Sequence, residues 1–360
     1  MSESIPPETE QDVWPTDIGP FIGIDVGGTK IMGVAVLNRG RIAHRIKAPT
    51  PSDPSQVGNG IMTVINSLSG LCGPPMAIGV GVPGLVDNDG VLRYGPNVPG
   101  VVGLDIAKTI AATFDVPVAV ENDAGCAAIA EHRLGSARGF NNAIIVTQGT
   151  GIGGGLIING ELLRGANGFA GEPGHMLIDD AGPRCACGND GCWEAVASGA
   201  GLANLARGLM AQGRGQNILA LADGDATKVR GEHISEALTN GDPDAEEVID
   251  QFASWVARGL GSLVNLLDPQ VIVLGGGLTV ISGTFLLEVE DRMAATVMGA
   301  EYRPQVPVVA AAIGAEAGAV GAAVLAAEKL GADLRPPGRY RRMIRQFVSG
   351  HRLPPEKVTE

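Results

Sequence analysis

Phe21–Leu37 reads FIGIDVGGTKIMGVAVL, and Ala143–Ile158 reads AIIVTQGTGIGGGLII. Each is a β-type run of Ile and Val that meets a polar, Gly-rich turn and resumes as a second run of the same kind. The two stretches share this plan at a spacing of about 120 residues, Gly27 to Gly149, roughly one domain's length. A chain that repeats strand, glycine turn and strand at that interval is predicted to build two related α/β lobes, each with its own hairpin loop. A third run, VIVLGGG at Val271–Gly277, also ends on glycines.

The turns exclude two familiar nucleotide sites. Gly149, Gly151 and Gly154 satisfy G-x-G-x-x-G formally, but a dinucleotide fold needs a helix to start there, and Leu156-Ile157-Ile158 continues as strand. A P-loop fails because Gly28 is followed by Thr29-Lys30, the reverse of the required order. What remains is a hairpin whose glycines let backbone N–H groups converge on an anion, with Thr29 and Thr150 adding hydroxyl donors. One such loop reads as an ordinary hairpin; two with matching chemistry point to phosphate. Asp25, beside the first, is placed to hold Mg²⁺ through water.

Working outward, Val118–Asn122 ends a strand and Ala124–Leu134 starts a helix, with Asp123 available as its N-cap. The same position, at the carboxyl end of an α/β strand, is where such sheets place ligands. There an Asp can instead accept the proton of a hydroxyl that attacks phosphorus. Ser198–Met210 and Ala245–Leu267 carry helical apolar spacing, and 211–243 reads as looser. Val306–Ala327 is long and apolar, but Pro307, Glu316 and its Ala/Gly content favour a buried strand and small-residue helix over a membrane span.

Composition narrows the class further. With 26 basic and 39 acidic residues the net charge is −13, which disfavours nucleic-acid binding. The 54 glycines and 4% aromatic content suggest tight turns and close backbone approaches to a ligand. The acidic, Pro-rich start is not a signal peptide. Three of the five cysteines, Cys185, Cys187 and Cys192, lie within eight positions of one another, which reads as metal ligation in a reducing compartment, the cytoplasm. With His175 upstream they match a closed Cys₃His zinc site, structural because no position is left for water. Glu172 and Glu194 bracket these ligands, so a zinc clip would hold two carboxylates near one point, an arrangement suited to vicinal hydroxyls.

Assembled, these residues resemble the ROK family of sugar kinases and sugar-responsive regulators, from about Phe21 to Ala327. Asp25-Val-Gly27-Gly28-Thr29-Lys30 is similar to its first phosphate motif, and Thr150-Gly-Ile-Gly-Gly-Gly155, which Gly149 precedes, to its second. Glu121-Asn-Asp-Ala124 resembles its catalytic segment, and His175 with Cys185, Cys187, Cys192 and Glu194 its zinc signature, the most specific of the set. Leu274-Gly275-Gly276-Gly277 is similar to its nucleotide-contacting turn.

The resemblance implies an α/β, actin-like ATPase (ribonuclease H-like) fold with two lobes around a cleft and a structural zinc site. It implies a small lobe at 21–134, completed by a returning helix at about 315–330, and a large zinc-bearing lobe at 135–314. The remainder is an acidic tail at 1–20 and an Arg-rich tail at 331–360. It further implies ATP- and Mg²⁺-dependent phosphorylation of glucose, or of another hexose such as N-acetylmannosamine or fructose, with Asp123 as general base. Asn97, Asn122, Asp123, Glu172, His175 and Glu194 would bind the sugar, with His175 using its second ring nitrogen. The expected partners are a hexose, ATP and a second copy of the chain, without nucleic acid or membrane.

Two features depart from the family pattern. Gln148 stands where an apolar residue is common, which bears on the phosphate loop or the donor. Only about twenty residues precede Phe21, too few for the DNA-binding module of the regulators. A non-catalytic sugar sensor is the reading from another class, and it leaves Asp123 and both hairpins without a task.

Overall fold

A computed structural model of the chain describes residues 19–277 and 284–336. Most of both expected tails, 1–18 and 337–360, lies outside the described residues. The part of the second tail that is described does not behave as one: Ala332 and Leu334 are buried in the core between the sheets.

The two quoted stretches form matching halves of two five-stranded sheets. The first has β1 (Phe21–Val26), β2 (Lys30–Leu37), β3 (Arg41–Pro49), β4 (Ala77–Val82) and β7 (Val118–Asn122) in the order β3-β2-β1-β4-β7. The second has β8 (Ala143–Gln148), β9 (Ile152–Ile158), β10 (Glu161–Leu162), β11 (Val271–Gly275) and β12 (Val308–Ala310) in the order β10-β9-β8-β11-β12. In each, three strands meander antiparallel and two more join parallel to the first. A short hairpin, β5 (Leu85–Val86) and β6 (Leu92–Tyr94), stands apart. Parallel pairing sets Asp25 beside Gly81 and Gly81 beside Glu121, so β1, β4 and β7 deliver their carboxyl ends to one edge. Gly275 beside Thr147 does the same in the second sheet. Those edges are where α/β sheets receive ligands.

Helices cover the outer faces. On the first sheet α1 (Val57–Cys72) buries Val57, Ile61, Val64, Ile65 and Leu68, a stripe of helical period, and α2 (Ile106–Phe114) packs beside it. On the second sheet lie α4 (Trp193–Ala197), α5 (Gly199–Met210), α6 (Gln216–Leu221), α7 (Gly231–Thr239), α8 (Pro243–Leu267) and α9 (Phe285–Ala294). The long α8 starts two residues before the apolar stripe, with Asp242 capping it and Pro243 at its first position. The looser stretch 211–243 holds α6 and α7, each anchored by one isoleucine, Ile218 and Ile234. They are too short for periodicity to reveal.

Between the sheets lie α3 (Asp123–Arg133) and α10 (Ala317–Lys329), packed on each other, α10 against the first sheet and α3 against the second. This resolves the Val306–Ala327 stretch into a strand and a small-residue helix, and no described helix is long and apolar enough to cross a membrane. It also changes the reading of the glycines, which pointed to turns and ligand. A Cβ on Gly23 would lie 1.9 Å from the Ala319 carbonyl oxygen, and one on Gly321 only 1.7 Å from that of Cys126. These glycines let backbone pass against backbone.

Gly321→Ala is therefore expected to lower stability by about 1–3 kcal/mol through overpacking, although Ala favours a helix by about 1 kcal/mol over Gly. Thermal melting decides the sign, and a raised melting temperature would show that the α3 backbone yields.

Candidate active site

The site grows from the β7–α3 junction. Asn122, not Asp123, is the N-cap: its Oδ1 accepts the Gly125 N–H at 2.9 Å, while its Nδ2 donates to the Gly84 carbonyl at 3.0 Å. Asn and Asp cap equally well, and β7 ends at Asn122, so the helix begins at Asp123, one residue earlier than the Ala124 start expected with Asp123 as its cap. The shift leaves Asp123 in the first turn with one oxygen accepting the Ala124 N–H at 2.8 Å. Burial pushes its carboxyl above the usual range, against the pull of the Ala124 N–H and its own.

Sequence reading missed what braces this junction. Glu121 is buried; one carboxylate oxygen accepts the Asn122 N–H at 2.9 Å and the other the Arg164 Nε at 2.6 Å. Arg164 follows β10, so the ion pair joins the two sheets beside Asp123. No local motif signals it, because the partners are 43 residues apart.

Asp25 lies at the end of β1, where burial pushes its carboxyl up to about 7, the Asp123 charge adding to the shift and the Lys30 ammonium opposing it. The first turn of α10 abuts it: a Cβ on Gly318 would lie 2.8 Å from the Asp25 carboxyl carbon. The β1–β2 turn is closed by Gly27 N–H donating to the Lys30 carbonyl at 2.8 Å, and Thr50 donates its hydroxyl to the Gly27 carbonyl at 2.6 Å. Gly28 and Thr29 are exposed at its tip, and Gly28 faces the backbone of Asn97, whose oxygen would lie 3.3 Å from an added Cβ. In the β8–β9 turn Gly149 N–H donates to the Gly151 carbonyl at 2.9 Å, leaving Thr150 exposed at the tip. Gly276, at φ +100, passes so close that a Cβ would sit 1.9 Å from the Gln148 carbonyl oxygen, which puts Gly275 and Gly276 beside this turn.

Gln148 itself does not reach the loop. Its fully buried side chain lies on the same strand face as Ile144 and Val146, and its Nε2 donates to the Ala197 carbonyl at 3.0 Å. The unusual residue fastens β8 to the junction of α4 and α5.

A second cluster adjoins the β8–β9 turn. His175, Cys185, Cys187 and Cys192 each offer a ligand atom within 4.8 Å of all the others. Cys187 and Cys192 sulfurs are 3.5 Å apart, and His175 Nδ1 is 3.9 Å from the Cys185 sulfur. A disulfide needs about 2.05 Å, whereas a tetrahedron of bonds near 2.3 Å has edges of about 3.8 Å. The donor set fits a four-coordinate metal ion. The segment is anchored by Trp193, whose N–H donates to the Met176 carbonyl at 2.8 Å and whose indole is fully buried.

Glu194 lies between this cluster and the turn: Oε1 is 3.8 Å from the Cys185 sulfur, and Oε2 accepts the Ile152 N–H at 2.8 Å. Glu172 is pushed up to about 7 by burial first, then by the charges of Asp123 and Glu194. The Asp123 charge thus reaches both Asp25 and Glu172, and the Glu194 charge reaches Glu172. The carboxylates expected from sequence form one row, with a glycine hairpin at either end.

That row has a pH consequence. The folded chain keeps protons on Asp25 and Glu172 to about pH 7, against ordinary values of 3.8 and 4.5. Their contribution to stability is full below the unfolded values and is lost as pH rises through about 7. Asp25→Asn is expected to gain melting temperature relative to wild type as pH rises from about 4 to about 7, then to hold that difference. Melts of both proteins across that range test it, and a constant difference would reject it.

Two sheets of identical order, two helices between them, and glycine hairpins flanking a carboxylate row define an actin-like ATPase fold. The chain belongs to the ROK family, whose model matches residues 21–329. It is 36% identical over 314 residues to a glucokinase of Streptomyces coelicolor, covering 86% of this chain and 98% of that one. It is 33% identical over 318 residues to an N-acetylmannosamine kinase of Escherichia fergusonii, covering 86% and 99%. Among solved structures it resembles a ROK family glucokinase from Streptomyces griseus in complex with glucose and AMPPNP, with a TM-score of 0.77, 36% identity, and coverage of 86% of this chain and all (100%) of that one.

Proposed function

We propose that this chain is a glucokinase, transferring the γ-phosphoryl group of ATP to the 6-hydroxyl of glucose. The observation that carries the mechanism is the placement of Asp123: released from capping by Asn122, partly buried, and central in the carboxylate row. Its carboxylate accepts the hydroxyl proton as the sugar oxygen bonds to phosphorus and the bond to the leaving ADP oxygen breaks. Such a base can be weak, because phosphoryl transfer depends mainly on positioning and charge neutralisation.

Glu172, Glu194, His175, Asn97 and the second amide hydrogen of Asn122 orient the sugar. The turns at Gly27–Lys30, Gly149–Gly151 and Gly275–Gly276 receive the nucleotide. Asp25 would hold Mg²⁺, which supplies neutralisation of the phosphate charge; a buried carboxylate raised by the neighbouring Asp123 charge suits a cation beside it. His175, Cys185, Cys187 and Cys192 would hold Zn²⁺, whose closed shell supplies rigidity. Residues 21–134 with the helix at about 315–330 form one lobe and 135–314 the other, and closure excludes water as a competing acceptor. The enzyme works as a cytoplasmic homodimer.

Hexoses crossed with ATP, GTP and polyphosphate in a coupled assay test this reading. Glucose with ATP is expected to turn over fastest. The relationship to an N-acetylmannosamine kinase favours that sugar as the second reading, and faster turnover on it would adopt it. Tight sugar binding without ATP consumption would turn the chain into a sensor.

A further inference from the structure

The backbone passes between the two sheets twice: through α3 and the segment after it on the way from β7 to β8, and after β12 on the way to α10. One side chain grips both passages. Glu131, 1% exposed and eight residues beyond Asp123, sits about 12 Å along α3 from the base, away from substrate. Its Oε2 accepts the Ser136 N–H at 2.8 Å and the Ala312 N–H at 3.1 Å, and its Oε1 accepts the Ile313 N–H at 2.8 Å. Ser136 belongs to the first passage, Ala312 and Ile313 to the second. A further bond repeats the link, the Ser136 hydroxyl donating to the carbonyl of Ala310 at 2.7 Å.

The surroundings are built for this grip. A Cβ on Gly135 would lie 2.1 Å from Glu131 Oε2, so any side chain there would push the carboxylate from its place. The second turns at Gly314, with φ +72. A carboxylate in the last turns of a helix opposes the helix dipole. The three N–H groups, charge-assisted donors from two separate segments, offset that opposition.

We propose that Glu131 is the positioning residue of the lobe hinge: it holds the two connecting passages together so that closure is one defined rotation about that point. The inference rests on the two-lobed kinase reading. Without the grip the passages move independently, the closed state is less populated, and water reaches the phosphoryl group more often.

Glu131→Gln in the full chain tests it. The amide keeps the shape, but its NH₂ must face one of the N–H donors. Glucose KM is expected to rise at least ~10-fold with a smaller fall in kcat, as the binding-competent fraction drops. ATP hydrolysed per hexose phosphate formed is expected to rise several-fold, and the contraction on glucose addition, read by small-angle scattering, to shrink. A purely structural loss would lower both ATP consumption and product together and leave their ratio alone. Wild-type KM, ratio and contraction in the variant would overturn the proposal. Should Glu131→Gln fail to fold, Ser136→Ala removes only the hydroxyl link; its ratio is expected to rise in the same direction, and an unchanged ratio overturns the proposal. A wild-type chain that contracts with sugar but phosphorylates none would reject the kinase reading and leave the hinge standing.

Discussion

Asp123→Asn is expected to lower kcat for hexose phosphorylation by roughly 10²–10⁴-fold, the usual contribution of a general base. The fold should not suffer. The cap belongs to Asn122, and an amide oxygen at position 123 still accepts the Ala124 N–H. Removing the charge also relieves its repulsion of Asp25 and Glu172, so the melting temperature at neutral pH should hold or rise. Because the interaction develops as the hydroxyl loses its proton, glucose KM should change much less than kcat. Wild-type turnover in this variant would remove Asp123 from the mechanism, and a parallel collapse of sugar binding would recast it as a substrate ligand.

Cys187→Ser should act from outside the pocket, with a smaller effect. Cys187 is exposed, and beyond the cluster its sulfur accepts the Asn189 backbone N–H, so the substitution removes one ligand and disturbs little else. Structural zinc free energy is folding free energy. Loss of metal should therefore lower the melting temperature and loosen the segment between His175 and Trp193, which its main-chain bonds, among them those of Ile178, Cys185, Gly191 and Trp193, and the Arg184–Asp190 ion pair would then hold. Glu194 and Glu172 flank that segment directly. Glucose KM is expected to rise at least ~10-fold, as for supporting shells of metal sites, and a chelator should reproduce the effect in wild type. Metal content measured beside sugar affinity is the check. Full affinity in a metal-free variant would separate the clip from the pocket.

Much of this site was legible because its chemistry is local in sequence. The hairpins show as alternating aliphatic runs broken by glycine, and the ligands of the metal cluster fall within eighteen positions, His175 to Cys192. The cap was misplaced by one residue because Asn122 and Asp123 are both good caps, and only the end of β7 chooses between them. The braces were not legible at all. Arg164 meets Glu121 and Glu131 meets Ile313 across 43 and 182 residues, pairings that exist only once both sheets have formed. Gly23, Gly79 and Gly321 resemble turn residues in composition, yet their task is set by a helix that arrives from elsewhere in the chain. Gln148, conspicuous in sequence, proved to be a buried fastener because strand alternation turns it from the loop.

The close approach of α10 to α3 and the first sheet carries one more consequence. Large side chains interlocked at such a seam would have to climb out of one another's grooves before either body could slide. Here the closest approaches are made by Ala, Gly and bare main chain, which have no rotamers to freeze or exchange, and only a few larger side chains such as Val320, Val324 and Ile129 stand among them. If the lobes rotate as proposed, such a seam serves as a smooth bearing: tight enough to shut out water, yet shallow enough to swivel without being unpacked.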